Sequence, residues 1–446
     1  MDMLNEYGDR YSGELEDGSA PLDEGAVRDL PSLGDQRHSA NHASLEGPGG
    51  LDDTASQTNP AQNDPGSSDN HDGRGVDADA SQTVAQNSAR AAEVEYKAFL
   101  DEGDSSLLQL RSTEAHGGVC ALTFSPCLTR VAAGFEDGVV LVWNATSRHQ
   151  ERQLLGHEDS ICSLVFSPDG AVLVSGSRDS HIVVWNAVSG DEVSRLKGHD
   201  GFVCALAFSP DGRRLASASV DFTVRLWDWA SAELLATSVN HDAMVMSVAF
   251  SPDGTRIASA SADCCARIFD ARTLDVLAVL DEHEAVVYAI AFSPDGERVV
   301  TSSDDESIKI WNGRTGVNYL TIRAHEGGSV WESVFSADGR RVMSVGSDGA
   351  VKIWGSHDGE SVDAISRADE VVNAPTFSPD GRFAAAGTKD NMVCVWDTAT
   401  CKQVGCFDGH TDSVTRLRLS RDGSRIVSAS DDGTVRIHTV GSRGAH

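Results

Sequence analysis

Residues 198–228 read GHDGFVCALAFSPDGRRLASASVDFTVRLWD. Three apolar runs of strand length, VCALAF, RLASAS and TVRLW, are separated by Ser-Pro-Asp-Gly and by a short turn at Asp221. Val and Leu favour a pleated, half-buried surface, and Pro, Asp and Gly supply the dihedrals of tight reversals, so the stretch predicts three antiparallel strands. The turn aspartate recurs at Asp137, Asp179, Asp221, Asp263, Asp305, Asp348, Asp390 and Asp432, every 42 residues apart from a single step of 43. A fourth short run, such as 153–155 or 193–196, precedes the next unit. Four antiparallel strands in a period of 40 to 45 residues make one blade of a β-propeller.

Eight turn aspartates imply eight sets of three strands, and a closed ring then needs eight outermost strands. Only seven follow a set within the repeats. The run SLLQLR, 106–111, lies ahead of the first set and has the character of an outermost strand. Placed beside 434–438, it joins the two ends of the ring and removes an open sheet edge. Eight blades follow; a seven-bladed ring with one degenerate extra unit is the alternative.

The repeats resemble the WD-repeat family over 106–446. Gly-His opens units at 156–157, 198–199 and 409–410, Ser-Pro-Asp-Gly recurs in the middle, and Trp-Asp or Trp-Asn closes units such as those ending at Trp185 and Trp227. Phe269 and His438 stand where the fourth and eighth units would have Trp, and Ala368 where the seventh would have His. The resemblance implies buried hydrogen-bonded sets of His, Ser or Thr, Asp and Trp. Carried over, they are His157, Ser175, Asp179 and Trp185; His199, Ser217, Asp221 and Trp227; His283, Thr301, Asp305 and Trp311; and His325, Ser344, Asp348 and Trp354. The fourth, seventh and eighth blades, lacking a member, are expected to be less rigidly tied. A recurring His, Ser and Asp also suggests a hydrolase triad, but a triad needs one strained nucleophile and an oxyanion hole, and these residues repeat without a unique copy or a G-x-S-x-G elbow.

Outward from the repeats, the composition changes. Residues 1–105 hold 23 acidic and 6 basic side chains and few large apolar ones, against 45 and 30 in 106–446. Such a segment cannot bury enough surface to offset its ordering entropy, so 1–87 is expected to be a disordered acidic tail. SARAAEVEYKAFL, 88–100, allows a short helix over 88–101 with Ser88 as cap, ahead of a propeller domain at 105–446. Both parts are acidic, which argues against direct nucleic-acid binding. No basic and apolar leader and no 20-residue apolar span is read, so an intracellular protein is expected, in cytoplasm or nucleus, with no membrane contact. Nine cysteines at irregular spacing do not describe a disulfide framework. Cys120, Cys162 and Cys204 recur at the repeat period and read as small apolar fillers, and no metal or other cofactor is expected.

Function is sought where the repeats differ. One position, four before the residue that closes the first strand (Phe in seven units, Leu419 in the eighth), reads Cys120, Cys162, Cys204, Met246, Tyr288, Trp331, Asn373 and Thr415 around the ring. The residue before each turn Asp reads Glu136, Arg178, Val220, Ala262, Asp304, Ser347, Lys389 and Asp431. Met246, Tyr288 and Trp331 fall on consecutive blades beside Asp304, a combination suited to Lys or Arg side chains through cation–π contact and an ion pair. Glu136 and Asp431 mark a second acidic edge, and Arg178 and Asn373 complete the candidate set. These positions point to a monomeric, non-catalytic scaffold in a multiprotein complex, its partner a protein or basic peptide. A chromatin or transcription-regulatory subunit is one version of that role, and an enzyme using the central channel the alternative of a different class.

Overall fold

A computed structural model of the chain describes residues 108–111, 116–147, 149–364, 372–378, 382–388, 390–398, 400, 402–420 and 423–440. The expected acidic tail and the helix at 88–101 lie outside these residues. Among the described residues there are eight four-stranded antiparallel sheets and no helix. In the third blade the strands run Val203–Phe208, Arg214–Ser219, Val224–Asp228 and Glu233–Ser238, from innermost to outermost. The fourth strand of the eighth blade comes from the other end of the ring. Leu108–Arg111 pairs antiparallel with Thr434–Thr439, Leu110 opposite Val435 and Arg111 opposite Thr434. The ring is an eight-bladed propeller, and the seven-bladed alternative is set aside.

The local chemistry of the repeat explains each hairpin. In the Ser-Pro-Asp-Gly turn, Ser209 Oγ donates to the Asp211 carboxylate at 2.5 Å, and that carboxylate accepts from the Arg213 amide at 3.1 Å. Gly212 takes φ +70° and lies against Pro168 of the preceding blade, so the left-handed turn and the close approach both call for glycine. The turn aspartate does similar work at the next reversal: the Thr223 amide donates to Asp221 at 3.0 Å.

Eight buried apolar clusters occupy the eight seams between consecutive blades. One joins Val172, Val174, Ile182 and Leu196 of the second blade to Val203, Leu215 and Trp227 of the third. Another joins Val427, Ala429, Val435 and Ile437 of the eighth to Val131, Leu141 and Trp143 of the first. Each sheet is therefore buried on both faces by its neighbours, and no single blade has a core of its own. Burial of a large side chain here is worth about 1.5–3 kcal/mol, so the stability of each blade rests on its neighbours.

Buried or half-buried arginines add polar ties across five of these seams. Arg256 donates through Nη1 to the Gly313 carbonyl at 2.7 Å and through Nη2 to the Gly296 carbonyl at 2.9 Å, both in the next blade. Arg214 reaches the Ala271 carbonyl at 2.8 Å and Arg298 the Gly339 carbonyl at 2.6 Å. Arg341 donates to the Thr398 carbonyl, and Arg425 to the Ala145 carbonyl at 3.4 Å across the seam that closes the ring. Arg130 turns instead to Glu151 of its own blade, and Val172 and Phe383 hold the position elsewhere.

One cysteine pair departs from expectation. Cys394 and Cys406 form a disulfide, with Cα atoms 4.1 Å apart. They are directly opposite in adjacent strands of the seventh blade. Strand register creates this pairing, and register is not visible in cysteine spacing.

Candidate partner-binding face

Four blades carry a complete chain of polar contacts that ties the second and third strands to the loop ahead of the first. In the third, Trp227 Nε1 donates to Ser217 Oγ at 2.9 Å, Ser217 Oγ meets His199 Nε2 at 2.7 Å, and His199 Nδ1 meets Asp221 Oδ2 at 2.7 Å. The same order runs through Trp185, Ser175, His157 and Asp179, where His157 Nδ1 to Asp179 is 2.8 Å. It recurs through Trp311, Thr301, His283 and Asp305, and through Trp354, Ser344, His325 and Asp348. With Nδ1–H donating to the carboxylate, Nε2 is free to accept the hydroxyl proton while the hydroxyl oxygen accepts from the indole, so one line of bonds satisfies four buried groups.

Burial alone would raise the Asp179 pKa, but the His157 hydrogen bond and charge, with the His181 and Glu158 amides, outweigh it and hold the carboxyl at about 2. Asp221, Asp263, Asp305 and Asp432 are held low by the same balance. Burial lowers the pKa of His325.

Two further sets were not read as complete in the sequence. His241 meets Ser259 Oγ at 2.6 Å and Asp263 at 2.8 Å, with Phe269 in the indole's place and Arg267 donating to Asp263 at 2.8 Å. In the eighth blade His410 meets Ser428 at 2.8 Å and Asp432 at 3.0 Å. His438 Nε2 stands 3.0 Å from Ser428 Oγ, so a second histidine takes over the tryptophan's link. The eighth blade thus has a substitute for the missing indole link.

The candidate binding residues collect at one end of the innermost strands. Met246, Tyr288 and Trp331 each sit at a register shift, between Val245 and Ser247, Val287 and Ala289, and Val330 and Glu332. A bulge leaves one residue out of the ladder and re-aims its side chain. Cys120, Cys162 and Cys204 occupy the same place in the first three blades. Burial pushes the Cys162 and Cys204 thiols up to about 12, so they stay protonated. Asn373 lies on the corresponding strand, opposite Gly387.

The residues before the turn aspartates are pinned to the same end. The amide of Asp304 donates to Val286 O at 2.9 Å, that of Arg178 to Ser160 O at 2.9 Å, that of Glu136 to Gly118 O at 3.2 Å and that of Asp431 to Ser413 O at 3.0 Å. In every case the acceptor lies two residues ahead of the bulge position. Both series of positions thus form one rim at the mouth of the channel.

The rim is uneven in chemistry. Burial, followed by the nearby Asp304 charge, raises the Tyr288 phenol to about 12, so it stays protonated at neutral pH. Ser329 Oγ of the next blade also donates to Asp304. Trp331 is half-buried against the seam that contains Met343, Val345 and Ala384, and it leaves part of its ring at the rim. Met246 is half-buried, while Asp304, Glu136 and Asp431 are exposed. The Glu136 side chain folds over the Gly117–Gly118 segment.

Two cations change the other side of the rim. Arg178 places its guanidinium 5.7 Å from the Phe202 ring centre. Arg416, which the sequence reading passed over, donates from Nε to Cys120 O at 3.0 Å and from Nη1 to Thr415 O at 2.7 Å. Arg416 lies at the seam of the eighth and first blades, where the Asp431 charge acts on it.

Matches to the family described as "WD domain, G-beta repeat" fall at 108–144, 148–186, 190–228, 232–270, 274–312, 316–355, 359–397 and 401–439. The chain belongs to this family. Among WD-repeat relatives, it is 38% identical over 69 residues to the Periodic tryptophan protein 2 homolog of Caenorhabditis elegans, 16% of this chain and 8% of that one. It is 42% identical over 66 residues to the Guanine nucleotide-binding protein subunit beta-2 of the same organism, 15% of this chain and 18% of that one. The computationally designed Ika8 protein, known from a crystal structure, is similar with a TM-score of 0.66 and 28% identity, over 74% of this chain and 98% of that one. The matches to the two natural relatives span less than a fifth of their length. Among the described residues no helix is long and apolar enough to cross a membrane, and no cluster of three or more His, Cys, Asp or Glu is placed to hold a metal.

Proposed function

We propose that this WD-repeat propeller is a non-catalytic scaffold that holds a partner protein by a basic peptide at the channel mouth. The observation that carries the reading is the exposed Asp304 carboxylate, held by Ser329 and close to Tyr288, with Met246 and Trp331 at the same bulge position on the blades either side of Tyr288. A Lys or Arg side chain placed there meets a carboxylate and an aromatic face together. The net charge of 106–446, 30 basic against 45 acidic side chains, steers cationic partners toward the ring. Relatives named as a subunit of a larger protein and as a small nuclear ribonucleoprotein protein support a place in a multi-component assembly. The intracellular setting expected from the sequence belongs to the same reading.

The test is binding of a fluorescent decapeptide library, half Lys/Arg-rich and half Asp/Glu-rich, to the full chain. Asp304→Lys and Trp331→Ala, with melting temperatures kept, should each weaken the basic peptides by about tenfold or more, equal to about 1.4 kcal/mol. Unchanged affinity in both variants refutes the assignment of this face.

A further inference from the structure

The outer rim carries a second feature, independent of the channel mouth. The outermost strand of the fourth blade, Val276–Leu280, reads VLAVL and ends its sheet, with no strand beyond it among the described residues. Seven of the eight outermost strands contain at least one charged residue: QERQL, EVSRL, ELLATS, NYLTIR, SVDA, KQVGCF and LQLR. VLAVL has none. Charges on edge strands ordinarily discourage a further strand from pairing, and this edge lacks that protection.

Its side chains divide by face. Ala278 and Leu280 are buried, and the turn at Gly316 of the next blade lies close over them. Leu277 and Val279 are 50% and 45% exposed, and Val276 is 37% exposed. Exposed apolar side chains beside an unextended edge are the two requirements for strand addition, in which main-chain bonds give affinity and alternate side chains give selectivity.

The flanks define the occupant. Asp275 stands at one end of the strand and Asp281 and Glu282 at the other, all exposed, with Arg272 the single Lys or Arg between residues 271 and 284. We propose that this edge takes up an extended segment of a partner protein as a fifth strand, with apolar residues at alternate positions and Lys or Arg at both ends. The apolar positions cover Leu277 and Val279, and the basic ends meet Asp275 and the Asp281–Glu282 pair.

The probe is a synthetic peptide of alternating valine and threonine with two lysines at each end, followed by fluorescence anisotropy against the full chain. Saturable binding is expected. It should weaken at least about tenfold in the Leu277→Lys/Val279→Lys double variant, and also with glutamates in place of the lysines. The Leu277→Thr/Val279→Thr variant keeps strand-compatible side chains and should show the same direction with an unchanged melting temperature. A peptide N-methylated at alternate residues cannot donate the main-chain bonds and should not bind.

Absence of binding, equal binding by the lysine variants, or binding that survives N-methylation overturns the proposal. So does a doubled mass in sedimentation that reverts in Leu277→Lys/Val279→Lys, because the edge is then covered by a second copy of the chain. Asp304→Lys should leave this binding intact, so failure here and failure at the channel mouth are told apart.

Discussion

Replacing Ser217 with Ala tests whether the polar set of a blade is a chain of bonds or a cluster of independent ones. Ser217 is fully buried, and its Oγ serves both Trp227 Nε1 at 2.9 Å and His199 Nε2 at 2.7 Å. The substitution leaves two buried polar groups without that partner, each costing about 1–3 kcal/mol, so a loss of about 3 kcal/mol is expected. The fourth blade supplies the internal control. Ser259 is equally buried and meets His241 at 2.6 Å, but Phe269 has no N–H to satisfy. Ser259→Ala should therefore cost about half as much, and the difference, about 1.5 kcal/mol, isolates the indole bond. Urea unfolding followed by tryptophan fluorescence, with calorimetry for the melting temperature, reads both. At about 2 °C per kcal/mol for a domain of this size, the shifts are about 6 °C and 3 °C. A Trp227→Phe background should reduce the cost of Ser217→Ala to that of Ser259→Ala. Equal losses in the two blades, or no change in the Phe background, would refute the reasoning.

Asp179→Asn should lower stability at pH 7 by about 2 kcal/mol, the free energy equivalent of a carboxyl shifted from 3.8 to about 2. Because that pKa is depressed in the folded protein, the stabilisation is present above the unfolded value and is lost as pH falls through the folded one; urea midpoints of the two proteins should converge from about pH 5 toward pH 2. Arg256→Met, which removes the buried donor to Gly313 and Gly296, should cost about 2–4 kcal/mol in a thermal melt. Arg314→Met breaks an exposed pair with Glu297, screened by solvent, and should leave the melting temperature unchanged. Deleting residues 1–111 removes the strand Leu108–Arg111 and leaves Thr434–Thr439 as an open edge, so light scattering should show self-association and the melting temperature should fall.

The architecture was legible because it is written in local chemistry repeated eight times. Turn residues bound each strand, strand residues alternate around them, and the run at 106–111 has no blade to join except the eighth. What escaped notice depends on residues far apart in sequence. Arg256 and Gly313 are 57 residues apart, and an arginine at the start of a strand looks like an ordinary surface residue until the next blade covers it. The Cys394–Cys406 pair needs the register of two strands, and the His438 link needs a histidine placed where the repeat has tryptophan. Arg416 was missed for a related reason, since its partners at Cys120 and Thr415 are main-chain carbonyls that no side-chain motif announces.

The candidate face was legible only in part, and the bulge explains why. Cysteine in the first three blades and Met246, Tyr288 and Trp331 in the next three occupy one backbone position, with the same register shift in each strand. The backbone tie to the neighbouring turn is also shared, as for Arg178 to Ser160 and Asp304 to Val286. A small thiol and a full indole thus satisfy the same local frame, so the frame itself does not demand a large side chain there. The seams take their stability from other residues, among them Trp227, Ile257 and Leu215, which are buried and lie in the strand ladders. Three large side chains gathered on consecutive blades beside one carboxylate are not demanded by the repeat, and the proposed contact with a partner would account for them.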